Sequence, residues 1–155
     1  LRLAAWVAGR ALAKRGIGPE AFDFGVLGMT VPQPGCFYGL PWAMGELGAA
    51  QVGGPTIMQA CATSARSVQV AAQEVAAGLA QTALVLTCDR VSNGPHIYYP
   101  APSAPGGTGA HENWVLDNFA RDPFAGVAMI TTAENVARKH GITPDAQDAP
   151  ALARS

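Results

Sequence analysis

Apolar positions along the chain fall into two kinds of run. In LRLAAWVAGRALAKRG, Leu1, Ala5, Ala8 and Leu12 recur at helical spacing, and Gly16 is a natural C-cap after the basic residues Arg10, Lys14 and Arg15. No capping residue precedes Leu1, so this helix reads as entered part-way along. FGVLGMTV at 24–31 and TALVLTC at 82–88 are instead short, continuous apolar runs, the pattern of buried strands, and PTIMQ at 55–59 is a shorter one. Between PTIMQ and TALVLTC the spacing predicts a helix from about Ala62 to Ala77, stopped by Gly78. Ala65, Val68, Ala72, Val75 and Leu79 line up on it, and Val70, Ala71 and Ala76 widen the stripe. That predicts a helix buried on most sides, with only Arg66, Gln69 and Gln73 as a narrow polar line. Strand, helix and strand at this length form a βαβ unit in a parallel sheet, so the fold class is α/β.

Elsewhere the pattern is less regular. Residues 32–54 are rich in Pro and Gly around one helix-like piece, LPWAMGELGAAQ. From Ile97 a long irregular stretch, IYYPAPSAPGGTGAHENWVLDNFARDPFAG, is predicted; a loop of that length is usually functional or belongs to an inserted subdomain. VAMITTAENVARKHG is a helix closed by Gly141. TPDAQDAPALARS begins another, with Thr143 as N-cap and Pro144 in first position, and Pro150 is expected to kink or stop it.

Composition narrows the function classes. The chain has 155 residues, of which 49% are hydrophobic and 14% charged, which suits a buried core rather than a disordered chain. A net charge of -1 offers nucleic acid no basic surface. No apolar run is long enough to span a bilayer. Cys36, Cys61 and Cys88 are odd in number and far apart, with no C-x-x-C pair, so neither a disulfide framework nor a zinc site is expected and no metal is assigned. Free thiols point to a reducing compartment, hence the cytoplasm, although a targeting segment ahead of Leu1 would not be visible.

Cys61 carries the candidate chemistry. It stands where a strand hands over to a helix, and three readings compete there: a core residue, a metal ligand or a nucleophile. The first N–H groups of a helix have no internal partner, and the helix dipole is positive at that end, so a thiolate is favoured. A strand-to-helix turn also presents its side chain at the carboxyl edge of the sheet, where α/β folds bind ligands. Cys36 and Cys88 have the blander expectation of small buried hydrophobes.

The stretch GGPTIMQACATSARSVQVAAQEVAAGLAQTALVLTCDRVSNGPH resembles the active-site region of the thiolases. That family has a Q/N-x-A-C-A/G-S motif opening a helix of the form A-A-Q-x-I-x-x-G. It is matched here by Gln59-Ala60-Cys61-Ala62, then Ala71-Ala72-Gln73 and Gly78. A S-N-A-P-H-like turn is matched by Ser92-Asn93-Gly94-Pro95-His96, and MITTAENVARKHGITPDAQD resembles a third family motif. The opening helix and GIGPEAFDFGVLG resemble the family's first helix and second strand, so most of the chain is covered. The resemblance implies a layered α-β-α-β-α fold, present here as a partial N-terminal half (residues 1–96) and the beginning of a loop domain (97–155). The first and last strands of the sheet would be missing, the first of them from its centre. It implies that the chain is a fragment, inactive by itself, of a longer protein. It gives Cys61 the role of acyl-accepting nucleophile. The substrates would be acyl-CoA or 3-ketoacyl-CoA in lipid metabolism, with coenzyme A as substrate and no permanently bound cofactor. The protein would be a homodimer or homotetramer, paired through strands near the cysteine loop. The family's base, proton carrier and oxyanion donors come from an N-E-A-F-like segment, a G-H-P histidine and a C-x-G cysteine beyond the equivalent of Ser155.

The other prominent side chains have plainer expectations. His96 is structural, and His140 sits favourably at a helix C-terminus. His111 and Trp114 fall at the start of the implied loop domain, and Arg66 could bond Glu74 or Asp89. Pro150 stands in a helix where the family has none, and Asp89-Arg90 departs from the family's G-G-M-E-S-M-S form, which opens the acyl specificity. Two rivals remain at this level: a ketosynthase-like condensing enzyme, whose usual T-A-C-S-S or A-A-C-A-G pattern this chain lacks, and a non-catalytic thiolase-like protein that binds acyl-CoA or lipid.

Overall fold

The computed structural model describes residues 1–154, apart from the side chain of Asn93. Ser155, where the expected second domain ends, and the Asn93 side chain of the Ser92–His96 turn lie outside the described residues. The chain separates into two units, Leu1–Pro95 and His96–Ser155.

In the first unit, helix α1 (Arg2–Ala13) is followed by strand β1 (Phe24–Gly28), helix α2 (Leu40–Leu47), strand β2 (Thr56–Ile57), helix α3 (Thr63–Ala76) and strand β3 (Ala83–Thr87). The three strands form one parallel sheet in the order β2-β1-β3. β1 pairs with β3 from Phe24↔Ala83 to Gly28↔Thr87, and with β2 at Leu27↔Thr56 and Gly28↔Ile57. This is the α/β class that the apolar runs predict. The resemblance puts a strand from before Leu1 at the centre of the sheet. Here β1 itself holds the centre, with both of its edges paired.

Alternation along β1 sorts the two faces of the sheet. A Cβ on Gly25 would meet Leu40 and Val52, whereas one on Gly28 would meet Thr63 and Ser67 of α3. Leu27 and Met29 join Leu40, Met44, Val52 and Leu86 in the main core, against which Leu1, Ala8 and Leu12 of the first segment are packed. The periodic positions of the opening segment are therefore its inward face, with Ala5 fully covered.

Three expectations about this unit change. The run 24–31 is a strand only to Gly28. Met29 still donates to the Ile57 carbonyl at 3.0 Å, but the Thr30 N–H leaves the ladder for the Asp89 carboxylate. α3 is not buried on most sides: Thr63, Ser67 and Ala71 face the sheet, while Val68, Val75 and Leu79 of the aliphatic stripe are exposed. Small and hydroxyl-bearing side chains let the helix backbone close on the strands, so the larger aliphatics are turned the other way. Third, α3 begins at Thr63 rather than Ala62, because a tighter 3₁₀ turn, Ala60–Ala62, precedes it.

In the second unit, β4 (His96–Tyr99) pairs antiparallel with β5 (Ala110–Asn113), from His96↔Asn113 to Tyr99↔Ala110. The stretch expected to be irregular thus contains a sheet of two short strands. α4 (Leu116–Ala120) packs on β5, and α5 (Met129–His140) and α6 (Pro144–Leu152) follow. Polar bonds tie the hairpin to α4. Glu112 accepts from the Tyr99 hydroxyl at 2.6 Å and from the Asn118 amide at 2.6 Å, and the Asn113 N–H donates to Asp117 at 2.7 Å. Gly141, in the left-handed region at φ 63°, ends α5, and Thr143 caps α6 by accepting from the Ala146 N–H. Pro150 does not stop α6, which continues to Leu152. It lies so near the helix end that its missing N–H costs little of the ladder.

Candidate functional site

The chain leaves β2 at Ile57 and must turn sharply to enter α3. Gln59 takes φ -147° and ψ 44°, and Ala60 takes φ 43°, the one positive φ among the described residues other than glycine. A left-handed alanine is costly and persists only where its surroundings hold it. Thr63 does the holding. Its hydroxyl accepts from the Gln59 N–H at 2.8 Å and donates to the Ala60 carbonyl at 2.7 Å, closing the turn around Cys61. Ser67, fully buried one turn later, donates to the Thr63 carbonyl at 2.8 Å.

Beneath this turn lies Gly28, the last residue of β1. A Cβ there would stand 2.7 Å from the Ser67 Oγ, 2.9 Å from Thr63 Cγ2 and 3.1 Å from Thr87 Cγ2. Only glycine lets the first turn of α3 lie this close to the strand ends. The result is a cleft of about 350 Å³ at the carboxyl edge of the sheet, with Cys61, Ala60, Ser64, Thr87, Cys88 and Asp89 among its lining residues. A larger cavity, about 500 Å³, lies against α1 and β3 among Val7, Met29, Val85 and Leu86. It does not include Cys61, so the candidate chemistry belongs to the smaller cleft.

Exposure separates the three cysteines. Cys61 is exposed, whereas Cys36 and Cys88 are half-buried and packed on the core. Cys36 is engaged locally: its thiol donates to the Gln33 carbonyl at 2.6 Å and accepts from the Gln33 N–H at 3.0 Å. Burial pushes the Cys88 thiol up; the amino terminus opposes this in part, and Asp89 and Cys36 add to the rise, although Cys88 reaches the cleft. The buried-core reading therefore does not hold for Cys61. Among the described residues no group of three or more His, Cys, Asp or Glu side chains is placed to hold a metal ion.

Most of the other predicted residues belong to the second unit. His96 opens β4, His111 stacks on Tyr98 at 4.9 Å between ring centres, and His140 ends α5, all in the second unit. Trp114 follows β5, where its carbonyl accepts from Asn118 at 2.9 Å. Arg66 donates to Gln69 at 2.8 Å, and not to Glu74 or Asp89. Sequence reasoning missed Thr63 and Gly28. A threonine just after the cysteine, able to bond its own backbone, was the available signal for the first. No local signal distinguished Gly28 from the other strand glycine.

Comparison with known proteins places this geometry. The family model for the thiolase N-terminal domain matches residues 1–155. The acetyl-CoA acetyltransferase of Allochromatium vinosum is 28% identical over 153 residues, covering 92% of this chain and 36% of that protein. The solved structure of an acetyl-CoA acetyltransferase from Syntrophomonas wolfei is 30% identical with a TM-score of 0.79, covering 97% of this chain and 38% of that one. The human mitochondrial 3-ketoacyl-CoA thiolase in complex with CoA, at 23% identity and a TM-score of 0.78, shares the fold over 97% of this chain and 38% of its own. The chain spans between 24% and 36% of the length of the curated relatives it matches.

Proposed function

The chain belongs to the thiolase family through the N-terminal domain it matches, and on that premise we propose that Cys61 is the acyl-accepting nucleophile of a thiolase-type acyltransferase. The observation that carries the proposal is the exposed Cys61 thiol in a cleft at the carboxyl edge of the sheet, set there by the Thr63-locked turn.

In this reading the Cys61 thiolate attacks the keto carbon of a 3-ketoacyl-CoA. The bond between that carbon and its neighbour breaks, and the departing acetyl-CoA carbanion takes up a proton. The acyl group stays on Sγ as a thioester. The thiol of a second coenzyme A then gives up its proton and attacks the thioester, releasing acyl-CoA and regenerating the cysteine thiolate. Run backwards, the same steps join two acyl-CoA molecules. Dividing the reaction at a covalent intermediate replaces one difficult step by two easier ones. The described chain contributes the nucleophile and its turn. The base and the proton carrier belong to the histidine and second cysteine that the family places after this segment. Coenzyme A takes part as substrate, the second unit is the start of the loop domain, and the working protein is a homodimer or homotetramer. Three free thiols support a reducing, cytoplasmic setting.

Single-turnover labelling tests this. In the complete protein, given radiolabelled acyl-CoA, the label is expected on the peptide holding Cys61 and to be lost in Cys61→Ala. Turnover by Cys61→Ala as fast as the parent would remove the assignment.

A further inference from the structure

Two aspartates bracket the β1–β3 pair. At the amino edge, Asp23 accepts from the Gln81 N–H at 2.8 Å and the Thr82 N–H at 3.0 Å, joining the entry of one strand to the entry of the other. At the carboxyl edge the ladder ends with the Cys88 N–H donating to the Gly28 carbonyl at 3.0 Å. There the Asp89 Oδ2 accepts from the Thr30 N–H at 2.6 Å and also from the Thr30 hydroxyl. One carboxylate oxygen thus takes two bonds from the segment leaving β1. Thr30, Cys88 and Asp89 line the same cleft as Cys61 and the turn that carries it.

We propose that Asp89 is a positioning residue for Cys61: by holding Thr30 it fixes the wall that these two residues give to the Cys61 cleft. The proposal deepens the acyltransferase reading and rests on it for its catalytic consequence. The turn that carries Cys61 is locked from its own side by Thr63 and seated on Gly28. The segment leaving β1 is held differently: Thr30 has left the ladder for Asp89, and further on the Gln33 side-chain amide donates to the Arg90 carbonyl at 3.3 Å. Bonds to an ionised acceptor are the stronger kind, and a misplaced wall changes how a substrate meets the nucleophile more than whether the fold survives.

The test uses two readouts on Asp89→Ala, Asp89→Asn, Thr30→Val and the Asp89→Ala/Thr30→Val double variant. The first is the rate at which iodoacetamide alkylates each cysteine, followed by peptide mass spectrometry. The second is the rate of acyl transfer from acyl-CoA to Cys61. Asp89→Ala is expected to speed alkylation of Cys61 about threefold or more while slowing its acylation about tenfold. Cys36, packed on the core, should keep its parent rate. Asp89→Asn keeps an acceptor oxygen and should recover most of both rates. The double variant should be no worse than Asp89→Ala alone, since the two residues act as one tie. Parent-like rates in Asp89→Ala would overturn the proposal. So would a rise in Cys36 alkylation that tracks Cys61, which signals general loosening, or an Asp89→Asn variant as impaired as Asp89→Ala. The parent and the variants are the complete protein; if that parent accepts no acyl group at all, the acyltransferase reading fails, while the alkylation rates still decide whether Asp89 sets the cleft wall.

Discussion

Val26, Leu27, Leu40 and Met44 are fully enclosed in the first unit, whereas no described side chain of the second unit is buried. The two units are held by different means. The first excludes water from a core on both faces of a parallel sheet, and its polar bonds serve chiefly to close turns and strand edges. The second relies on exposed polar bonds across its hairpin and within its loops, such as Glu112 with Tyr99 and Asn118, and Asp122 with the Phe124 and Ala125 N–H groups. Burial adds over many contacts and can hold a strained turn like that at Ala60. Exposed local bonds each contribute little and hold only their own loop. The turn that carries Cys61, the proposed nucleophile, has the first kind of support.

Truncation of the core should divide the units most sharply. Leu27→Ala removes a fully buried side chain and is expected to cost about 2–5 kcal/mol in denaturant unfolding. Amide exchange should rise across β1 and β3 while the β4–β5 amides stay at parent rates. Equal loss of protection in both units would refute the separation.

Next comes Gly28→Val, which overpacks the seat of α3 and should cost about 1–3 kcal/mol. Cys61 alkylation should change with it. An unaltered unfolding midpoint and an unaltered Cys61 would mean that α3 can move away freely.

Smaller effects come from the two edges where charge is involved. The backbone bonds from Gln81 and then Thr82 hold the Asp23 carboxyl below its usual range. A depressed carboxylate contributes stability above its unfolded value, about 3.9, and that contribution is lost as the pH falls through the lower folded value. The acid limb of stability against pH should therefore be shallower in Asp23→Asn than in the parent. In the second unit the hydrogen bond to Glu112 raises the Tyr99 phenol, because donation to a carboxylate favours the protonated form. Glu112→Ala should bring the tyrosinate absorbance transition to lower pH and leave the first unit unchanged.

The smallest expected change is Thr143→Ala, which removes the α6 cap. A loss of about 0.5–1 kcal/mol confined to α6 helicity is expected, read by circular dichroism of the parent and the variant.

Much of the first unit was legible because its elements declare themselves locally. Apolar runs gave β1, β2 and β3, the positions Leu1, Ala5, Ala8 and Leu12 gave the inward face of α1, and Gly78 marked the end of α3. The β4–β5 pair was hidden, because HIYY and AHEN are short, mostly exposed and lack the alternation of a half-buried strand. The direction of α3 was also hidden. Its aliphatic residues form the better stripe, yet the sheet takes the side with Thr63, Ser67 and Ala71, since close approach of backbones outweighs side-chain bulk there.

By itself the sequence determined the α/β class, the thiolase resemblance and the identity of the candidate nucleophile. These rest on residue type and order, which no packing can alter. Only the tertiary structure decided that Cys61 is exposed while Cys36 and Cys88 are half-buried, that Gly28 must lack a side chain, and that Asp89 meets Thr30 across the sheet edge. Each of these depends on segments far apart in the chain arriving at one place, and the forces that bring them there are summed over the whole core rather than written at any one position.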